Sequence, residues 1–217
     1  MCLDKIETDQ LPLGQAMSVE EQRLLLTTLV AAHESFPEGP FVELGTNRAL
    51  SAQAIVGALA QLNGKRMTFY SVDIRELPAR DYWDKGVIPL LADAASGLVV
   101  HLVISSSWEF ASQFQAHTVP WVFVDACHCY QCVCKDLEAW VPKICPGGFL
   151  ICHDVGFKEN LNCNIQHPPG LRYGVLRAIM DCEELLSPFG FYGVVHSSPL
   201  TDNPGMMAFQ RKTKEGP

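Results

Sequence analysis

Residues 119–155 read VPWVFVDACHCYQCVCKDLEAWVPKICPGGFLICHDV, and this stretch decides the fold. It opens as a short apolar run without alternation, the pattern of a strand buried on both faces, and that strand ends in Asp125. A helix follows to about Val141, Pro146-Gly147-Gly148 turns the chain, and a second buried strand ends in His153-Asp154. Both strands finish on ionisable residues. In a parallel sheet these ends share one edge, and open α/β sheets bind ligands in the crevice outside that edge.

The same rhythm extends on both sides. Strands are predicted over residues 41–44, 67–74 and 98–104, separated by an Ala-rich helix over 50–62 and a broken helix over 81–95. Asn63-Gly64 turns the chain after the first of these helices. Ser107 is placed to cap a short helix reaching residue 114, and a last helix is predicted over 174–186. Residues 189–196 and 206–211 then form a closing antiparallel pair. The fold class is α/β: a Rossmann-like, doubly wound, mainly parallel seven-stranded sheet with helices on both faces and an antiparallel C-terminal strand pair. Ahead of it, Ser18-Val19-Glu20-Glu21 is a capping box followed by an apolar run, so residues 1–40 read as a helical lead-in to a domain over 41–217.

Composition narrows the function. A net charge of −8 with no Lys/Arg cluster disfavours a nucleic-acid duplex or an anionic membrane as partner. The acidic start MCLDKIETDQ lacks a signal-peptide core, and no apolar run approaches the roughly 18 residues of a membrane span. Nine cysteines without an export signal read as reduced thiols, so a cytoplasmic enzyme is expected.

Three groups of residues point to chemistry. Gly45 follows the first strand directly and lets a ligand approach the backbone, while the next helix start offers free N–H groups to a carboxylate. Asp73 ends the second strand, where an acid can take both ribose hydroxyls of a nucleoside. Asp125, His128, His153 and Asp154 form the third group. His128 titrates near neutral pH and is the candidate base; Asp125 and Asp154 could share a divalent cation. In a regular strand His153 and Asp154 point to opposite faces, so only one of them is expected to act as a ligand.

Taken together, VDACHCYQCVCKDLEAWVPKICPGGFLICHDV resembles the Asp-x-x-His-x-Tyr … Pro-Gly-Gly … His-Asp signature of a branch of class I methyltransferases. That branch uses S-adenosylmethionine and includes metal-assisted O-methyltransferases of sugars and natural products. The similarity runs through FVELGTNRALSA, SVDI, SSSWEFA, YGVLRAI and GMMAFQRK, from Phe41 to Lys212. It implies that Glu43, Gly45, Thr46, Asn47 and Ser51 surround the methionine part of the cofactor and that Asp73 holds the ribose. It further implies that Ser106, Ser107 and Trp108 lie near the adenine and that Asp125 belongs to the cofactor site. Asp125 and Asp154 match metal-ligand positions for Mg2+ or another divalent cation, with Asp125 and His128 in the catalytic role. Two departures stand out. Ala49 replaces a second glycine, so its methyl is expected to intrude on the cofactor loop. His153 precedes Asp154 where metal-dependent members have a carboxylate, and is assigned to the substrate.

Residues 157–173 fit no regular element and are expected to overhang the site as a lid, with His167, Arg172 and Tyr173 reaching the substrate. Cys127, Cys129, Cys132 and Cys134 read C-x-C-x-x-C-x-C. At about 100° per residue a helix sets Cys129 and Cys132 against Cys127 and Cys134, so four thiolates are not expected to converge on zinc. Trp140, Val133, Leu137 and Val141 are read as the apolar face of that helix.

The expectation is an S-adenosylmethionine-dependent O-methyltransferase acting on a hydroxylated small molecule. The alternatives are a non-catalytic relative that binds a ligand or partner, and a dehydrogenase, against which the absent G-x-G-x-x-G spacing speaks. The segment before Phe41 offers a surface for a homo-oligomer.

Overall fold

A computed structural model describes residues 6, 11, 17–62, 66–91, 97–156, 174–196 and 205–213. The first helix, α1 (Val19–Ser35), starts where the capping box places it: Glu21 N–H donates to Ser18 Oγ at 3.3 Å, and Ser18 N–H donates to Glu21 Oε2 at 2.8 Å. There follow β1 (Pro40–Leu44), α2 (Leu50–Gln61), β2 (Thr68–Asp73) and α3 (Glu76–Tyr82). The helix expected over 81–95 thus begins earlier, and it changes character as it goes. It passes through a π turn at Trp83–Val87 and a 3-10 turn at Ile88–Leu91.

The second half contains β3 (Val99–Ile104), α4 (Ser107–Phe110), β4 (Val119–Val124), α5 (Tyr130–Trp140) and β5 (Ile144–His153). It closes with α6 (Val175–Asp181), α7 (Glu183–Leu186), β6 (Phe189–Val195) and β7 (Met206–Arg211). Two local expectations are corrected here. Ser106, not Ser107, is the N-cap of α4, because the Ser107 hydroxyl turns inward to Asp136. Pro146-Gly147-Gly148 is not a free turn but the start of β5, where the register against β4 shifts between Val119 and Trp121. That shift needs glycine: Gly147 has φ 85°, and a Cβ on Gly148 would fall 2.7 Å from the Pro120 carbonyl oxygen.

The strands form one seven-stranded sheet in the order β3-β2-β1-β4-β5-β7-β6. The pairings from β3 to β5 are parallel, and β7 runs antiparallel to both β5 and β6. From β1 the chain steps outward to β3, then returns to start again at β4, so the order reverses between β1 and β4. The crevice of such a sheet opens at that reversal, above the carboxyl ends of the two strands.

Each face of the sheet has its own core. One gathers Leu25, Leu26 and Leu29 of α1 with Ile55 and Leu59 of α2 and Phe41, Trp121 and Phe149 of the strands. The other gathers Leu137 and Trp140 of α5 with Val175 and Ala178 of α6. Trp140, Val133, Leu137 and Val141 are buried there, as their spacing predicts. The helix of the expected lead-in therefore shares the core of the region that follows it; the Trp121 indole N–H donates to Thr28 Oγ1 of α1 at 3.1 Å. The expected lid at 157–173, with His167, Arg172 and Tyr173, and the Asn63-Gly64 turn lie outside the described residues.

Candidate active site

The loop after β1 is built around an obligatory glycine. Gly45 N–H donates to Val72 O at 2.7 Å, and Asp125 N–H donates to Leu44 O at 2.8 Å, which draws the ends of β1, β2 and β4 together. Gly45 has φ 102°, and a Cβ there would stand 2.1 Å from the Asp125 carbonyl oxygen. No side chain fits. Asn47 and Ala49 also take left-handed torsions, with φ 42° and 54°. Ala49 corrects an expectation: its methyl does not intrude on the loop but is fully buried in the α1/α2 core, where it is the N-cap of α2.

Asp73 holds this loop from the side. Its carboxylate accepts the N–H of Asn47 and the N–H of Arg75, each at 2.9 Å. Each oxygen keeps a further lone pair for a hydroxyl. Beneath the loop, Thr46 Oγ1 and Ser71 Oγ share a hydrogen bond of 2.7 Å, and Ser71 donates to Glu43 Oε2 at 2.5 Å. Glu43 is fully buried, and its Oε1 has no hydrogen-bond partner. Burial pushes its carboxyl up to about 8, with the Asp125 and Asp73 charges adding to the rise and the Ser51 and Ser71 hydroxyls opposing it. Ser51 is buried on the first turn of α2.

Across the crevice, the ends of β4 and β5 bring four residues into one ionic cluster. His128 Nε2 lies 2.7 Å from Asp154 Oδ2 and 3.3 Å from Asp125 Oδ1. His153 Nδ1 lies 3.1 Å from Asp125 Oδ1 and 3.6 Å from Asp154 Oδ1. Both His153 and Asp154 are inside the cluster, so the expected divergence of the two is corrected. The strand ends at His153, and Asp154 takes φ 59°, which turns its side chain back to the same side.

Electrostatics fixes the charges. Burial favours neutral rings, but the hydrogen bonds and charges of Asp125 and Asp154 outweigh it and push His128 up to about 10. His153 is raised well above its usual range in the same way, chiefly by the Asp125 charge once the opposing effect of burial is overcome. Asp125 and Asp154 are correspondingly lowered, against the cost of burial, by the two histidines. The shifts favour the protonated form of both rings and the ionised form of both carboxylates. His128 as it stands here is a cation, so the role of base assigned to it requires that its proton leave first.

One member escaped the sequence reading. Glu21 is fully buried on α1; its Oε1 accepts Gly205 N–H at 3.0 Å and stands 3.4 Å from His153 Nε2. The His153 contact is ionic and lacks hydrogen-bond alignment. Its signal was present, but as a capping-box glutamate it already had a local explanation.

The residues expected near an adenine are less uniform. Ser106 Oγ donates to Glu109, and Lys135 Nζ sits 4.9 Å over the Trp108 ring. Ser107 is committed elsewhere: its hydroxyl donates to the buried Asp136, and its carbonyl accepts the Trp140 indole N–H at 3.1 Å. Ser107 therefore ties α4 to α5 rather than facing the crevice.

The chain matches a family model described as a methyltransferase domain over residues 42–155. Among solved structures it is similar to an O-methyltransferase from Bacillus cereus in complex with S-adenosylhomocysteine, with 14% identity over 92% of this chain and 84% of that one, and a TM-score of 0.60. It is similar to the O-methyltransferase TomG from Streptomyces achromogenes in complex with S-adenosylmethionine, with 15% identity over 91% and 82% and a TM-score of 0.57. The N-methyltransferase NodS from Bradyrhizobium japonicum aligns at 14% identity over 90% and 99%, with a TM-score of 0.55. At such identities the likeness is one of fold. No curated protein matches the chain in sequence. Among the described residues, no helix is long and apolar enough to cross a membrane.

Proposed function

The chain belongs to the methyltransferase-domain family, and from that premise we propose that it transfers the methyl group of S-adenosylmethionine to a hydroxyl of a small molecule. The observation that carries the reading is the cluster of Asp125, His128, His153 and Asp154 beside the Gly45 loop, at the point where the strand order reverses. N-methyltransferases share the fold; a carboxylate-rich cluster that can hold a cation favours an oxygen acceptor, whose proton must be weakened before transfer.

The residues fit the cofactor. Gly45 leaves bare backbone at the mouth of the loop. Glu43, an uncharged acid with one unpaired oxygen, suits a site that receives an ammonium group, whose charge would ionise it. Asp73 has lone pairs to spare for ribose hydroxyls. When bound, the cofactor supplies a methyl already activated on a sulfonium, which departs as a neutral thioether. The protein's share is alignment: Asp125 and Asp154 take the acceptor hydroxyl as hydrogen-bond donor, and His153, anchored by Glu21, holds Asp125 in place.

A divalent cation also fits, since ligand atoms of Asp125, His128 and Asp154 all lie within 4.8 Å of one another. Held by Asp125 and Asp154 with His128 as a neutral ring ligand, such a cation would lower the hydroxyl's pKa. An assembly through the segment before Phe41 completes the proposal; the acceptor is a hydroxylated small molecule rather than a nucleic acid or membrane lipid, and the setting is cytoplasmic.

Calorimetry with S-adenosylhomocysteine, with and without Mg2+, tests this on wild type and Asp73→Ala. Binding by wild type that is lost in the variant is the expected result. No binding by folded wild type would sink the proposal, and binding without turnover of any hydroxylated acceptor would leave a non-catalytic ligand-binding protein.

A further inference from the structure

Cys127 and Cys129 lie in the loop that carries Asp125 and His128, Cys132 lies in the first turn of α5, and their Sγ atoms all lie within 4.8 Å of one another. The helical spacing that would separate them does not apply, because α5 begins only at Tyr130. Cys127 and Cys129 lie in the preceding loop, two residues apart, while His128 between them meets Asp125 and Asp154. Cys129 is the N-cap of α5, and its Sγ accepts the N–H of Cys132 at 3.4 Å. Cys132 is therefore the third residue of the helix, the one that the first turn brings back to the cap. Cys134 takes no part, as the helix carries it round to Tyr130 and Cys182.

We propose that Cys127, Cys129 and Cys132 form a three-thiolate site for a soft d10 cation, Zn(II) or Cu(I), at the loop that carries His128. Metal–sulfur bonds of about 2.3 Å hold neighbouring sulfurs about 3.8–4.0 Å apart, so the cluster needs only a small contraction to close on an ion. Binding displaces up to three protons and involves no electron transfer. Among the described residues no fourth His, Cys, Asp or Glu joins the group, so Cu(I) would be three-coordinate and Zn(II) would add a water. The neighbouring Asp125, His128 and Asp154 present oxygen and nitrogen instead, and the two groups thereby sort cations by softness. This inference does not depend on the methyl-transfer reading.

The test is an anaerobic titration of reduced protein with Co(II), standing in for Zn(II), and separately with Cu(I) held by a competing chelator. One equivalent is expected to bring up thiolate-to-metal charge-transfer absorption. Cys127→Ser and Cys129→Ser should each lose it; Cys127 is only half-buried, so its replacement leaves the core closed, as an unchanged circular dichroism spectrum would verify. Cys145→Ser, at the opposite end of the sheet, and Asp154→Asn, in the neighbouring oxygen and nitrogen group, should both keep the band. A band in the Co(II) arm alone assigns zinc, and in the Cu(I) arm alone assigns copper. No band in either arm with folded wild type, or a band that persists in both Cys127→Ser and Cys129→Ser, overturns the proposal.

Discussion

At Asp154 one torsion decides the composition of the site. With φ 59° it leaves β5 and joins His153 around Asp125 and His128, although a regular strand would part the two. Asp125 is the hub, since its Oδ1 meets both rings. Asp125→Asn is expected to lower kcat by about 100-fold or more while the fold survives, measured by methyl-transfer assay beside thermal melting. A second residue speaks to stability. Burial pushes Asp136 up to about 7, with the Ser107 hydroxyl opposing and Cys127 adding. Its folded value is raised above the usual 3.8, so its contribution is whole in acid and is lost as pH rises through about 7. Asp136→Asn should therefore be more stable than wild type at pH ~8, by up to ~4 kcal/mol, and the gain should vanish toward pH ~4; urea melts across that range check it. The identities of Asp125, His128, His153 and Asp154 were legible in the sequence because ionisable residues ending apolar strands are conspicuous. Their protonation was not, since it depends on distances between residues far apart in the chain.

Among the elements, α1 carries the most tertiary contact that its own letters do not show. Its capping box is legible in four letters and forms as spacing predicts. That Glu21 also reaches Gly205 and His153 is a tertiary fact with no local trace. Glu21→Ala removes one partner from a buried ionic contact together with a cap, and is expected to cost about 3 kcal/mol or more. Thr28→Val leaves the Trp121 indole N–H without its acceptor and should cost about 1–2 kcal/mol; chemical denaturation of both variants tests the ranking. The cysteine segment shows the opposite failure. A helical wheel pairs Cys129 with Cys132 and sets Cys127 opposite them; because α5 begins only at Tyr130, Cys127 joins that pair while Cys134 stays apart.

Across the whole molecule, the alternation of strands and helices and the antiparallel ending were legible because buried strands and amphipathic helices leave different periods. What no period records is which strand lies beside which. The last strand, β7, takes an interior place between β5 and β6. A chain ending at residue 204 would leave β5 with an unpaired hydrophobic edge and is expected to show no cooperative melting transition in calorimetry, whereas the full chain should show one.

That interior place also sets a clock. Glu21 waits for Gly205, a partner 184 residues later in the chain. A ribosome making this protein releases α1 long before β7, so the Glu21–Gly205 bond and the β5–β7 pairing form only after the rest of the parallel sheet has been made. The nascent chain spends that interval with an open β5 edge and with Glu21 lacking the Gly205 N–H. Truncated products of interrupted synthesis would be recognisable to the cell's quality control by the same unfinished seam.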